Sequence, residues 1–256
     1  MQKSGKIIWV LLVSTILLSF VQDSDAQEDN WLQVDVVTIV PDRYEEYIEL
    51  QQDEVTPALQ RAGVPWRSVW RVAEFGNSYD LQLVTPLASL AQYDSGGSLA
   101  RVMKPDRRRR LVEQLRRATV SRRRYAMRYR RELSVEANEV GGFPLARTTT
   151  LQIAPGRTVI WERFLRESLP RFANAGLIFG VYERVFGPGP SAWLIVENYE
   201  SFGHLEQPSL LVRAFGTEAG ILATSMADVI SSIERTVWRF DAELSYSANP
   251  SNNRLH

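Results

Sequence analysis

One phrase occurs twice in this chain, and that duplication limits what it can fold into. Pro41 to Gly63 reads PDRYEEYIELQQDEVTPALQRAG, and Pro155 to Gly176 reads PGRTVIWERFLRESLPRFANAG. Each copy follows a β-branched run, opens on Pro-x-Arg and closes on Ala-Gly. The echo runs on in order. Glu54 returns as Glu167, Pro57 as Pro170, Arg71 as Arg184, Val72 as Val185 and Leu81 as Leu194. Later, Arg128 returns as Arg239, and Glu132-Leu133-Ser134 as Glu243-Leu244-Ser245. The small drift in spacing is assigned to gaps in loops.

Periodicity assigns the elements. Trp31 to Val40 is rich in β-branched residues, so it reads as a strand. Tyr44, Tyr47, Ile48, Val55, Leu59 and Ala62 recur at helical spacing, Gly63 is a stop, and Pro57 is expected to kink or split the helix. Trp66 to Phe75 and Tyr79 to Val84 read as strands around a Gly76-Asn77-Ser78 turn. Thr85 to Tyr93 reads as a short helix and Leu99 to Arg123 as a long basic one, with Pro105 in its first turn. Tyr125 to Ala137 alternates as a strand. After a linker at Asn138 to Pro144, the order repeats. Arg147 to Ala154 is a strand, Arg157 to Ala175 a helix, and Leu177 to Phe186 and Ala192 to Glu197 are strands. Short and longer helices follow, the longer at Ala219 to Ile233, and Thr236 to Tyr246 is the last strand.

The order is therefore β-α-β-β-α-β, twice. Such a unit forms an antiparallel sheet with both helices on one face and leaves the other face bare. Two bare apolar faces in one chain can be laid together. The fold class read from the sequence is α+β, with two tandem βαββαβ ferredoxin-like units closing a pseudo-dimeric α+β barrel. The first unit spans 27–140 and the second 141–246, with a disordered tail at 247–256.

Composition narrows the function classes. The 256 residues hold no cysteine, 2 histidines, and 30 basic against 30 acidic side chains. Disulfides, thiolate metal sites and cysteine nucleophiles are excluded. A basic start at Lys3 and Lys6, an uncharged apolar run from Ile7 to Phe20, and Ser24-Asp25-Ala26 before Gln27 fit a cleaved signal peptide over residues 1–26. The apolar run falls short of the roughly 20 residues of a membrane span. The expectation is a secreted or periplasmic protein with no membrane span after cleavage, as monomer or homodimer.

The duplicated element order resembles the dimeric α+β barrel superfamily in tandem form, and more loosely the NIPSNAP, EthD and antibiotic-biosynthesis-monooxygenase families, over about residues 31–246. That resemblance implies varied activity. Some members are cofactor-free monooxygenases or isomerases acting on hydrophobic aromatic compounds, some bind haem, and others have no established chemistry. It also implies a site between sheet and helices or within the barrel.

Candidate ligand-binding residues follow from the expected strand faces. Arg128 with Glu132, and Arg239 with Glu243, are spaced to share one face of each last strand. With Tyr129 and Phe240 on the helix side, that charged face looks into the barrel and orients an anionic or phenolic ligand. The alternative is a structural ion-pair lattice or an exposed edge. Arg71 and Arg184 form a second pair, cation donors in a pocket stacking on Trp66, Trp70 or Tyr182, or else paired surface arginines. Tyr44, Tyr47, Trp161 and Phe164 read as core or as a ligand roof. His204 lacks a partner histidine, so zinc chemistry is excluded and a haem ligand is the weakest reading. No metal and no cofactor is expected, and no catalytic residue is assigned. Arg107-Arg108-Arg109-Arg110 and Arg122-Arg123-Arg124 read as a solvated face, with anion or membrane-surface docking as the alternative. Nucleic acid is not an expected partner, because of the leader.

Two functional expectations result. The first is an exported barrel that binds a small, partly apolar ligand or a partner without catalysis. The alternative is a cofactor-independent monooxygenase or isomerase acting on an aromatic small molecule. It requires a polar group in a deep apolar pocket with a perturbed pKa, and a barrel packed solid with side chains would exclude it.

Overall fold

The computed structural model describes residues 31–136 and 142–248. The expected signal peptide, residues 138–141 of the linker and the tail from residue 249 onward lie outside the described residues. The strands are β1 (Trp31–Ile39), β2 (Trp66–Val72), β3 (Asp80–Leu87), β4 (Thr119–Tyr129), β5 (Leu145–Ile153), β6 (Gly180–Phe186), β7 (Ala192–Tyr199) and β8 (Ile230–Phe240), with a short β9 (Tyr246–Ser247). The helices are α1 (Tyr44–Leu50), α2 (Thr56–Arg61), α3 (Gly97–Val102), α4 (Pro105–Arg117), α5 (Thr158–Asn174), α6 (Leu210–Phe215) and α7 (Ala219–Ser225).

The strands run β3-β1-β4-β6-β7-β5-β8-β2, and β2 pairs back onto β3, closing an eight-stranded barrel. Every ladder is antiparallel. The strands alternate, so one set of side chains fills the lumen and the other meets the helices. Leu32, Val34, Trp70, Val84, Tyr125, Met127, Tyr129, Ala146, Tyr182, Leu194 and Trp238 form the lumen cluster. These rings and branches nearly fill it, leaving a cavity of only about 30 Å³. On the outer face, Val37, Ile39, Val69, Leu81 and Leu83 meet Tyr47 and Ile48 of α1. On the far side, Leu151, Val181 and Trp193 meet Trp161, Leu165 and Phe172 of α5.

The first helix is split, as Pro57 suggests. A π turn at Gln51–Val55 separates α1 from α2. Its cause is visible in the repeat. Pro41 to Pro57 is one residue longer than Pro155 to Pro170. The gap assigned to a loop lies inside a helix, and the π turn absorbs the extra residue. The second copy needs no such turn, and Pro170 sits inside an unbroken α5. Both phrases close as expected, with Gly63 and Gly176 left-handed at φ 75° and 64°.

Several boundaries differ from the expectation. β3 runs on to Leu87, and only a 3-10 turn at Leu90–Tyr93 follows where a helix was expected. The long basic helix is two pieces, and β4 begins at Thr119, so Arg122, Arg123 and Arg124 are strand residues. The β-branched Thr119-Val120 and the ladder with β1 override the helical reading. β4 ends at Tyr129, and Arg131–Leu133 is a 3-10 turn. Likewise β8 starts at Ile230, inside the stretch expected to be helical, and ends at Phe240.

Candidate functional site

The lumen holds no space for a substrate, but the outer face of β1 to β4 does. Between that face and its helical cover lies a cleft of about 630 Å³. Val55, Ala58, Met103 and Leu111 knit the cover together from the π turn, α2, α4 and the segment before it.

Alternation on β1 sends Leu32 and Val34 into the lumen and Gln33 and Asp35 into the cleft. Asp35 is 2% exposed. Arg122 Nε and Arg124 Nε each donate to Asp35 Oδ1 at 2.9 Å, Arg124 Nη2 donates to Oδ2 at 3.3 Å, and Gln33 Nε2 donates to Oδ2 at 2.6 Å. Tyr93 closes the chain by donating its hydroxyl to Gln33 Oε1 at 2.6 Å. Burial pushes the Asp35 pKa up, the two arginines pull it down, and the arginines prevail, so the group stays below the ordinary carboxylate range. A carboxylate so held is a poor base. Its role is to fix two cations in the wall.

Arg67, on β2, is different. It is 3% exposed and lines the same cleft. Its Nη2 donates to Gln51 Oε1 at 2.6 Å and its Nη1 to Thr56 Oγ1 at 2.9 Å, both neutral acceptors. Its Nε is buried with no hydrogen-bond partner among the described residues. Burial lowers its pKa, as expected for a guanidinium taken out of water. Tyr47 lies nearby, and burial pushes its pKa up to about 12, so it is neutral at ordinary pH. Leu59, Val64, Leu83 and Leu115 supply apolar walls, and Arg108 and Arg116 stand on the α4 side.

The residues expected to form a site are not brought together. The expectation that Arg128 and Arg239 look into the barrel is corrected, because Tyr129 and Phe240 occupy the lumen side. Arg128 instead lies over the Trp31 ring at 4.7 Å, and Arg239 over Phe202 at 5.6 Å, 3.6 Å from Glu74. Glu132 lies past the end of β4 and accepts from Arg130 at 2.7 Å. Glu243 is exposed beyond β8, its backbone N–H bonded to Asp241 Oδ1 at 3.1 Å.

Arg71 and Arg184 also separate. Arg71 pairs across β3 with Leu81, bonds Asp241 and lies over Tyr44 at 5.6 Å. Arg184 pairs with Met127 and lies over Tyr125 at 4.2 Å, on the lumen side. The residue in β6 that matches Arg71 is Glu183, which faces Trp193 as Arg71 faces Leu81. The repeat alignment is out by one residue here, and one residue turns a strand side chain to the opposite face. Trp70 is in the lumen, edge-on to Phe240 at 5.1 Å, and takes no part in the cleft.

His204 is exposed on the 3-10 turn Phe202–Glu206. The cleft lining contains no histidine, so a histidine-ligated haem does not fit it. Among the described residues no cluster of three or more His, Cys, Asp or Glu could hold a metal ion, and no helix is long and apolar enough to cross a membrane. Several exposed arginines of α4 are paired: Arg107 with Glu54 at 3.2 Å, Arg116 with Glu113 at 2.8 Å, and Arg117 with the same Glu113 at 3.3 Å.

No family model matches the sequence, and no curated protein matches it. Solved structures do match in fold. An anthrone oxidase-like protein aligns with TM-score 0.56 at 12% identity, over 88% of this chain and 96% of its own. A protein of Lactobacillus acidophilus NCFM, provisionally named a monooxygenase, aligns with TM-score 0.55 at 9% identity, over 87% of this chain and 98% of its own. Chlorite dismutase from Candidatus Nitrospira defluvii aligns with TM-score 0.52 at 9% identity, over 85% and 93%. At such identities the likeness is one of fold, and the closed eight-stranded antiparallel barrel is compatible with a dimeric α+β barrel fold. The first functional expectation is corrected here. An exported binding protein without catalysis finds no support, because the proteins that share this barrel carry the names of enzymes.

Proposed function

We propose that the chain is an enzyme built from two ferredoxin-like units in one polypeptide, and that its cleft oxygenates an enolisable aromatic molecule without a cofactor. The observation that carries this reading is Arg67, a buried cation at a ligand-sized cleft that no carboxylate neutralises by hydrogen bonding. Such a group lowers the energy of negative charge as it develops on a substrate oxygen, and it does so most strongly where water is excluded. The substrate then ionises in the cleft. Its proton leaves to solvent, since Asp35 is locked between arginines and Tyr47 holds its own proton. The electron-rich enolate is the species that reacts with dioxygen. For a methylene between two rings the atoms balance without a further reagent. One oxygen atom replaces both methylene hydrogens to make the carbonyl, and the other leaves with those hydrogens as water. Every electron that reduces dioxygen is drawn from the substrate. The filled lumen excludes the oxygenase site expected inside the barrel, and the present reading rests on the cleft between sheet and helices instead.

The name of the anthrone oxidase-like neighbour suggests the probe. Anthrone added to the purified chain should consume one dioxygen per anthraquinone formed, at a rate above the protein-free blank. Arg67→Met should lose this rate. An isomerase would share the ionisation step and consume no oxygen. Uptake no faster than the blank would sink the proposal.

A further inference from the structure

The π turn of the first helix has a purpose that folding does not supply. In a π turn the amide of residue i+5 bonds to the carbonyl of residue i, and here Thr56 N–H donates to Gln51 O. Residues five apart diverge on an α-helix. The wider turn brings them onto one side, and the side chains of Gln51 and Thr56 both reach Arg67, one on each terminal nitrogen. The acidic residues of the same turn are kept away: Asp53 is exposed, and Glu54 pairs with Arg107 at 3.2 Å. Asp35, the buried carboxylate of the lining, is held by Arg122 and Arg124. Arg67 is therefore held firmly, by neutral acceptors only, with Nε left over.

Leaving a buried cation in that state costs several kcal/mol. The fold does not need it. At the matching point, just before β6, stands Phe179, bridged to Val135 as Arg67 is paired with Tyr246. The helix beside it is regular and carries Leu165. Among the described residues no carboxylate bonds Arg67, and a partner of opposite charge would complete the arrangement.

We infer that the π turn is a cradle that makes Arg67 a receptor for one oxyanion, so that the cleft selects apolar, ring-bearing monoanions over their neutral isosteres. Gln51 and Thr56 are its positioning residues. The inference deepens the proposed function and rests on the cleft being the place where that substrate sits.

The test uses 2-naphthoate and its neutral counterpart 2-naphthamide, titrated calorimetrically into the full chain. Naphthoate should bind about tenfold tighter or more. Gln51→Glu supplies Arg67 with a carboxylate of its own and should erase that preference, with the melting curve confirming a folded protein. Arg166→Gln, exposed on α5 and outside the cleft, should leave the preference intact. Equal affinity for the two probes, no binding of naphthoate, or a preference that survives Gln51→Glu overturns the inference. Anion preference with no oxygen uptake from anthrone counts against the oxygenase and not the receptor. Oxygen uptake with no anion preference does the reverse.

Discussion

The two halves of this barrel use the same space in opposite ways. Outside β1 to β4, between sheet and helices, lies a cleft walled by Arg67, Arg122, Arg124 and Asp35. Outside β5 to β8, Trp161, Leu165, Phe172, Phe179 and Trp193 close most of the corresponding space as an apolar cluster, and Arg147 there pairs with the buried Glu197 at 2.7 Å. Strand pairing is the same in both, β4-β1-β3-β2 in one half and β8-β5-β7-β6 in the other. The second half shows that this architecture is satisfied by aromatic and aliphatic filling, worth about 1.5–3 kcal/mol for each large side chain buried. The charged set of the first half is therefore not a demand of the fold. It is the feature that separates a site from a core.

Exchanging the two solutions breaks the comparison most directly. Phe179→Arg places a guanidinium among Trp161, Leu165, Leu177 and Val181, where no acceptors are arranged for it. The expected loss is about 3–5 kcal/mol, read from urea unfolding. A loss below about 1 kcal/mol would mean that the two halves are equally tolerant of charge. The reverse exchange, Arg67→Phe with Gln51→Leu, fills the cleft floor in the manner of the second half. Stability should hold or rise, since apolar replacement of buried charge is often neutral or favourable by about 1–4 kcal/mol. Anthrone turnover should fall by about 10²–10³-fold, the usual effect of removing one oxyanion donor.

Asp35 gives a smaller effect with a pH signature. Its folded-state pKa is depressed, by the arginines and against the opposing effect of burial. Its contribution is thus fully present above the unfolded value and disappears as pH falls through the lower folded value. Asp35→Asn should cost about 1.5–3 kcal/mol at pH 7, the range for hydrogen bonds to a charged group. The gap between variant and parent in denaturation midpoints should be constant from about pH 7 to pH 5 and should narrow below about pH 4. A gap that persists unchanged into that acid range would show that packing, not charge, is what Asp35 contributes.

Much of the frame is legible in the residues, and most of the site is not. The β-branched run of Trp31 to Ile39 declares a strand by propensity, and the helical spacing around Tyr47 and Ile48 declares a helix because burial on one face imposes a period. Arg67 escapes that logic. It sits between Trp66 and Ser68 on the face it shares with Val69, and one charge in an alternating strand reads as solvent-facing. The repeat as aligned in sequence sets Arg67 against Gly180, and only the strand register sets this charge against the aromatic Phe179. The extra residue between Pro41 and Pro57 was visible, but spacing alone does not say whether a gap lies in a loop or in a helix. Arg122 and Arg124 were hidden by their run of like residues, which carries neither period. Arg71 and Arg184 misled for a geometric reason, since a one-residue slip on a strand reverses the face.

The finest test concerns Tyr93, which has no part in holding Arg67. Its hydroxyl fixes Gln33, and Gln33 in turn donates to Asp35, so it joins the turn before α3 to the arginine-bearing wall. Burial raises its pKa, and it stays a protonated donor through neutral pH. The residue is 38% exposed, so removing the hydroxyl leaves Gln33 open to water rather than stranded. Tyr93→Phe should therefore cost at most about 0.5–1.5 kcal/mol of stability. If the wall serves substrate binding, the same change should raise KM for anthrone several-fold and leave kcat within about twofold, the mark of binding lost equally from ground and transition states. If kcat falls and KM does not, the Tyr93–Gln33–Asp35 chain acts on the reacting oxygen itself, and the division between a holding wall and a charge-stabilising floor must be redrawn.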